Sequence, residues 1–344
     1  MNIALLSEQE CARLNQLIAD AAQIVICAHK SPDGDALGSS IAWYSYLTEQ
    51  RGKQVTMVMP DQFPDFLCWM PHTEKIVRYD RHPDRAAQAF EQADLVFCLD
   101  FNATARVNEM EPLLVGSKAR RVLIDHHLDP DIEAEIIVSQ PKLCSTSEMI
   151  FRIICQLGGY EQMDQKAATA IYCGMMTDTM AFTVNSNYPE VYFVVSQLME
   201  KHINKEKIYQ KVFNNYSQWA VRFRGYILYQ RMQYFEDARA AYFTITREDM
   251  RRFHFIKGDA EGLVNEPLRI KGTRLSISLR EDDRQDNLVW VSLRSVGDCD
   301  CQALARQFFN GGGHKNASGG RLFCTIADAE KTAREAIASL CKTV

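Results

Sequence analysis

The stretch QIVICAHKSPDGDALGSS, residues 23–40, decides the fold. Its first part, QIVICAH, is a short apolar run too brief for a helix, and Ser31, Pro32, Asp33 and Gly34 end it. The following ALGSSIAWYSYLTEQRG takes up helical periodicity, so the local reading is strand, turn, helix. Working outward, the unit recurs: QVTMVMP (54–60), ADLVFCLD (93–100) and RRVLIDHH (120–127) are further short apolar runs separated by helical or loop segments. That alternation predicts an α/β domain with a parallel sheet and flanking helices. In such sheets the chemistry collects beyond the carboxyl ends of the strands.

The residues at those ends are acids and imidazoles. The first strand runs into His29, Asp33 and Asp35, LVFCLD ends in Asp100, VLID ends in Asp125, His126 and His127, and Asp178 closes the helical GMMTDT. Each has a structural alternative when taken singly: Asp33 and Asp35 as turn and cap residues, Asp100 and Asp178 as helix caps, each histidine as an ordinary hydrogen-bonded group. Their joint arrival at strand and helix ends favours a site. Carboxylates crowded into one cleft repel one another and lose hydration, so their pKa values rise or cations neutralise them. Two divalent ions resolve the charge. Mixed imidazole and carboxylate donors without thiolates suit Mn²⁺ better than Ca²⁺, with Mg²⁺ as a weaker substitute.

From 145 to 236 the pattern is mainly helical, opening on a capping box from Ser145 to Glu148 in STSEMIFRIICQLGG. Alternating segments return at AAYFTIT, RLSISLR and LVWVSLRS, which predicts a smaller C-terminal α/β domain. The expected division is a catalytic domain over 1–200, a helical connector over 201–235 and a substrate-binding domain over 236–344, with a cleft between the two domains. In the last of these, NGGGHKNASGG (310–320) reads as a glycine loop: Gly311, Gly312 and Gly313 would let backbone N–H groups approach an anion, and His314 and Lys315 add donors. Arg280 in SLRE and Arg294 in SLRS, near strand ends, are candidate clamps for a second phosphate or a base.

Composition narrows the partners. The chain has 344 residues, 47% of them hydrophobic, enough for two cores, and a net charge of −5, which argues against long duplex nucleic acid. Eleven cysteines without a CxxC pair read as reduced thiols, and Cys299 and Cys301 alone make a poor metal or redox site. The acidic N-terminal segment and the absence of a long apolar run predict a cytoplasmic protein with no membrane partner. A homodimer is compatible with the sequence and not required by it.

Taken together, HKSPDGDALGS, CLDFN, LIDHH and GMMTDTMAF, followed by GGGHKNASGG, resemble the successive motifs of the DHH phosphoesterases and the glycine loop of their associated C-terminal domain. The similarity covers residues from about 24 to 320 and is strongest to the compact branch that degrades very short RNA and dephosphorylates 3′-phosphoadenosine 5′-phosphate. The resemblance implies a metal-dependent phosphodiesterase and phosphatase with two cations, Mn²⁺ first, acting on short RNA or a mononucleotide bisphosphate. It further implies that His29, Asp33 and Asp100 hold one ion and Asp35, Asp100, His126 and Asp178 the other. Asp125 would then orient a ligand and His127 would face the substrate phosphate, as a general acid or as an electrostatic clamp. His314 and Arg294 would grip the phosphate or terminal nucleotide from the second domain. The alternatives are hydrolysis of a linear or cyclic dinucleotide, an exopolyphosphatase or pyrophosphatase, and a non-catalytic nucleotide sensor, which the intact ligand positions disfavour.

Overall fold

The strands of the first sheet differ in burial: those at its centre are covered on both faces and almost wholly apolar, while those at its edges are partly exposed. In a computed structural model that describes residues 3–340, these strands are β1 (Gln23–Cys27), β2 (Gln54–Met59), β3 (Val77–Arg78), β4 (Leu95–Leu99), β5 (Arg120–Asp125) and β6 (Ile136–Ser139). They lie in the order β3-β2-β1-β4-β5-β6 with every pair parallel. Alternate side chains go to opposite faces. Ile24, Ile26, Leu95, Phe97, Leu99, Val122 and Ile124 enter one core, while Val25, Cys27, Val96, Cys98 and Leu123 enter another.

Eight helices of this unit cover those cores: α1 (Glu8–Asp20), α2 (Gly34–Ser45), α3 (Pro83–Gln92), α4 (Glu111–Gly116), α5 (Thr146–Gln156), α6 (Gln165–Asp178), α7 (Pro189–Glu200) and α8 (Lys205–Phe213). Helices α3 and α4 line the second core and the others the first. Strand order reverses between β1 and β4, a topological switch point where the outgoing turns diverge and leave a crevice. The register sets Cys27 opposite Cys98 and Leu99 opposite Ile124, so the carboxyl ends of β1, β4 and β5 stand abreast. Behind that edge α6 comes very close to the start of α5. A β-carbon on Gly174 would stand 2.0 Å from Ser147 Oγ and 2.9 Å from Asp35 Oδ1, so only glycine fits there.

The chain divides between Asn215 and Tyr216, inside the segment that the sequence reading assigns to a connector. The cause is burial. Ile208 and Val212 of α8 belong to the first core, whereas Phe223 of α9 (Gln218–Tyr226) and Ile227 belong to a separate one with Phe243, Ile245 and Met250.

The second unit holds β7 (Met232–Phe235), β8 (Ala240–Ile245), β9 (Leu275–Glu281), β10 (Val289–Ser295), β11 (Gly312–His314) and β12 (Ala317–Leu322), ordered β11-β12-β10-β9-β8-β7. All pairs are antiparallel except β8 with β9. Its helices after α9 are α10 (Arg247–Arg252), α11 (Cys301–Phe308) and α12 (Ile326–Leu340). Leu275, Ile277, Leu279, Val289, Val291 and Leu293 pack with α11 and α12, which leaves Arg280 and Arg294 on the opposite face.

The glycine run expected as an open loop is an edge hairpin. Gly312 pairs with Gly319 and His314 with Ala317, and a β-carbon on Gly311 would meet the Gly319 carbonyl oxygen at 1.9 Å. Backbone packing against β12 therefore accounts for a glycine there. Among the described residues no helix is long and apolar enough to cross a membrane, and the cysteines are free thiols, with Cys299 and Cys301 buried.

Candidate functional site

The turn after β1 is shaped by its own acids. Asp33 is the N-cap of α2, its Oδ1 accepting from the N–H of Asp35 at 2.9 Å and of Ala36 at 3.0 Å. Its other oxygen lies 3.8 Å from His29 Nε2, so capping α2 leaves Asp33 an oxygen turned toward the imidazole. The Nδ1 of His29 lies 2.8 Å from the carbonyl of Lys30. A carbonyl can only accept, so Nδ1 carries the proton and Nε2 is turned to the acids, 3.4 Å from Asp100 Oδ2.

Asp100 follows β4 with φ of 64°, in the left-handed region that aspartate tolerates better than most residues. Its Oδ1 accepts from the hydroxyl of Thr146 at 3.0 Å and lies 3.6 Å from His126 Nε2. His126 repeats the pattern of His29. Its Nδ1 donates to the Leu143 carbonyl at 3.3 Å, and its Nε2 faces Asp178 at 3.2 Å and Asp35 at 4.0 Å. Asp35 is fully buried, and its two oxygens accept from the N–H groups of Thr146 at 2.6 Å and Ser147 at 2.8 Å.

Asp125 bonds His127 Nδ1 at 2.7 Å, so the ring it orients is that of His127. Its second oxygen is buried with no hydrogen-bond partner. Among the described residues of the first unit, three groups of donor atoms result, each with its atoms within 4.8 Å of one another: His29, Asp33 and Asp100; Asp35, Asp100 and His126; Asp100, Asp125 and His127. Asp100 stands in all three.

The electrostatics follow from burial and crowding. Burial alone would lower the pKa of His29, but Asp100 and Asp33 outweigh it and raise the imidazole to about 10. His126 is likewise raised despite its burial, chiefly by Asp178. Desolvation pushes Asp35 well above the ordinary carboxylate range, and repulsion from Asp100 and Asp178 adds to it; Asp178 is raised too, again mainly by burial. Asp100 loses hydration as well, yet His29 and the other two imidazoles hold it below the ordinary value. Without cations, protons on the histidines balance the acids. The donor set suits divalent cations: imidazoles fixed through Nδ1, clustered carboxylates, an orphaned carboxylate oxygen and no thiolate.

The remaining sequence-derived residues lie on the second unit. The register sets His314 opposite Ala317 and Ala317 opposite Arg294, so His314 and Arg294 share one row, and Arg280 lies on the same face. Arg280 stacks over the ring of Phe255, 5.9 Å from its centroid, and Lys315 in the hairpin turn pairs with Asp298 at 3.2 Å.

Sequence reasoning missed Leu143, Thr146 and Ser147, which contact His126, Asp35 and Asp100. The expected capping box forms only in part. Ser145 accepts from the N–H of Glu148, but the Glu148 carboxylate turns to the Cys144 N–H and to Arg152. After Asp178 the chain makes a left-handed turn, with φ of 47°, 58° and 62° at Met180, Ala181 and Phe182, tied by the Phe182 N–H to the Thr179 hydroxyl at 2.9 Å.

Known proteins resemble this chain along most of its length. The model of the DHH family, N-terminal domain, matches residues 23–175, and that of the DHHA1 domain matches 239–343. The bifunctional oligoribonuclease and PAP phosphatase NrnA of Bacillus subtilis is 25% identical over 91% of this chain and 95% of its own. An exopolyphosphatase-related protein from Bacteroides fragilis is 43% identical, with a TM-score of 0.93 over 98% of both chains. RecJ of Thermus thermophilus, solved with Mn²⁺, shares the fold at a TM-score of 0.56 and 11% identity, over 99% of this chain and 56% of its own. With family domains matched in both units and a full-length relative of this similarity, the chain belongs to the DHH family of phosphoesterases and is a hydrolase.

Proposed function

We propose that the protein hydrolyses phosphoesters at the ends of short oligoribonucleotides and in 3′-phosphoadenosine 5′-phosphate, using two divalent cations, Mn²⁺ by preference. The observation that carries this reading is the position of Asp100. Its Oδ2 faces His29 and its Oδ1 faces His126, so one carboxylate serves two donor groups at the switch point. His29, Asp33 and Asp100 would hold one ion, and Asp35, Asp100, His126 and Asp178 the other. When bound, such a pair supplies Lewis acidity at phosphorus and a water ionised at neutral pH.

The protein's own residues supply the rest. His127, turned by Asp125, offers its far nitrogen to the ester, where it balances charge on the phosphate oxygens or passes a proton to the leaving group. Arg280, Arg294 and His314 on one face of the second sheet, with Gly311, Gly312, Gly313 and Lys315 at its edge, bind phosphate and the terminal nucleotide. Mn²⁺ is favoured by the mixed imidazole and carboxylate donors and by the Mn²⁺ in RecJ. The nucleotide reading is supported by NrnA, which matches over nearly its whole length.

The test is a parallel assay with Mn²⁺ of dinucleotide RNA, pentanucleotide RNA, a 20-mer, 3′-phosphoadenosine 5′-phosphate, linear and cyclic diadenylate, and tripolyphosphate. With a net charge of −5, each phosphate beyond the pocket gains little counterion-release energy. Di- to pentanucleotides are therefore expected to exceed the 20-mer about tenfold in kcat/KM, a gap of about 1.4 kcal/mol. Equal turnover of the 20-mer would move the reading to a processive exonuclease, and turnover of tripolyphosphate alone to a polyphosphatase.

A further inference from the structure

The carboxylate that serves both donor groups has to be held in one rotation. Rotation about the terminal bond of aspartate is loosely restrained, so neither oxygen is assigned to a side by the backbone alone. In this structure Oδ2 lies 3.4 Å from His29 Nε2 and Oδ1 lies 3.6 Å from His126 Nε2. His127 Nδ1 lies 3.8 Å from Oδ1, and the hydroxyl of Thr146 donates to the same oxygen at 3.0 Å.

Thr146 is itself immobilised. It is fully buried as the first residue of α5, and its own N–H is spent on Asp35 at 2.6 Å. The preceding turn is tied down by the Cys144 N–H on Glu148 at 3.0 Å, and Glu148 is held by a buried ion pair with Arg152. A donor this rigid, bonded to a charged acceptor, is worth more than an ordinary surface contact.

We propose that Thr146 is a positioning residue whose hydroxyl apportions the two oxygens of Asp100, Oδ2 to the His29 side and Oδ1 to the His126 side. This rests on the two-cation reading above. The role belongs to the side chain alone, because the hydrogen bond from Thr146 to Asp35 comes from the backbone and survives substitution. Outer partners of this kind change cation affinity or activity by about 10–100-fold when removed.

The experiment compares full-length wild type, Thr146→Val and Thr146→Ser. Mn²⁺ binding is titrated calorimetrically, with EPR of unbound Mn²⁺ as a check. Melting is followed in EDTA, and kcat and KM are measured at saturating Mn²⁺ on a dinucleotide. Valine keeps the shape and loses the donor. It is expected to melt close to wild type, to bind its weaker Mn²⁺ at least tenfold less tightly, and to lose kcat by a similar factor with KM little changed. Serine is expected to restore both.

If valine instead binds both ions as wild type does, or if serine binds as poorly as valine, the proposal is overturned, since the hydroxyl then does not matter. Should valine melt early, Thr146→Ala removes the donor without placing a methyl group against the acids and gives the same comparison. A wild type that binds fewer than two ions overturns the two-cation reading and this inference with it, and that result is read before any variant is made.

Discussion

Replacing Asp100 by asparagine keeps the side-chain volume and the bond from Thr146 while removing one charge. In the cation-free protein that charge lies 3.4 Å from His29 Nε2. At an effective dielectric constant of about 20, the lost attraction is about 5 kcal/mol, equivalent to more than a thousandfold in proton affinity. Asp33 remains, at 3.8 Å and half exposed to solvent, as a weaker partner. The His29 imidazole, raised to about 10 in the native chain, is therefore expected to titrate close to its ordinary 6.5 in Asp100→Asn. Histidine ring NMR across pH 5 to about 10.5 in EDTA reads this directly. With Mn²⁺ present the same variant is expected to lose more than one ion per chain, because Asp100 stands in both donor groups, and to lose hydrolysis. An unchanged His29 titration together with two retained ions would refute the placement of Asp100 as the shared carboxylate.

Three further outcomes are expected. His314→Ala should raise KM or lower kcat severely with Mn²⁺ stoichiometry unchanged, since none of the proposed ligands lies in its unit; loss of metal by elemental analysis would contradict that division. Gly174→Ala should cost about 1–3 kcal/mol in denaturant unfolding and disable hydrolysis, because the new methyl group must displace Ser147 and the carboxylate of Asp35. In EDTA the melting temperature should fall as pH rises from about 6.5 toward 10. The raised pKa of His29 means that its stabilising proton is fully present below the ordinary 6.5 and is lost through about 10, and buried Asp35, also raised, acts in the same direction. A melting temperature that climbs over that range would reverse the sign of the argument.

Much of the sheet was legible because β1, β4 and β5 are buried on both faces and read as unbroken apolar runs. The two-residue β3, the half-exposed β6 and the partly exposed β7 carry no such signal. The clustering of the acids was legible because they stand at strand ends, at the start of α2 or at the end of α6, and a switch point converts those scattered positions into one edge. The support from α5 could not be found in this way. Thr146 and Ser147 reach Asp35 through backbone N–H groups, which no residue type announces. The unit boundary was blurred for a related reason: α8 and α9 are both amphipathic, and only the core that each one buries separates them.

The left-handed turn at Met180, Ala181 and Phe182 bears on how sequences of relatives are read. Three successive residues with φ near 50–60° admit glycine, asparagine and aspartate readily and resist valine, isoleucine and threonine. A narrow amino-acid alphabet at these positions would thus record the shape of the backbone beyond Asp178, not contact with a substrate. It should persist in a descendant that had lost every ligand and all catalysis, and only the acids and imidazoles would tell the two cases apart.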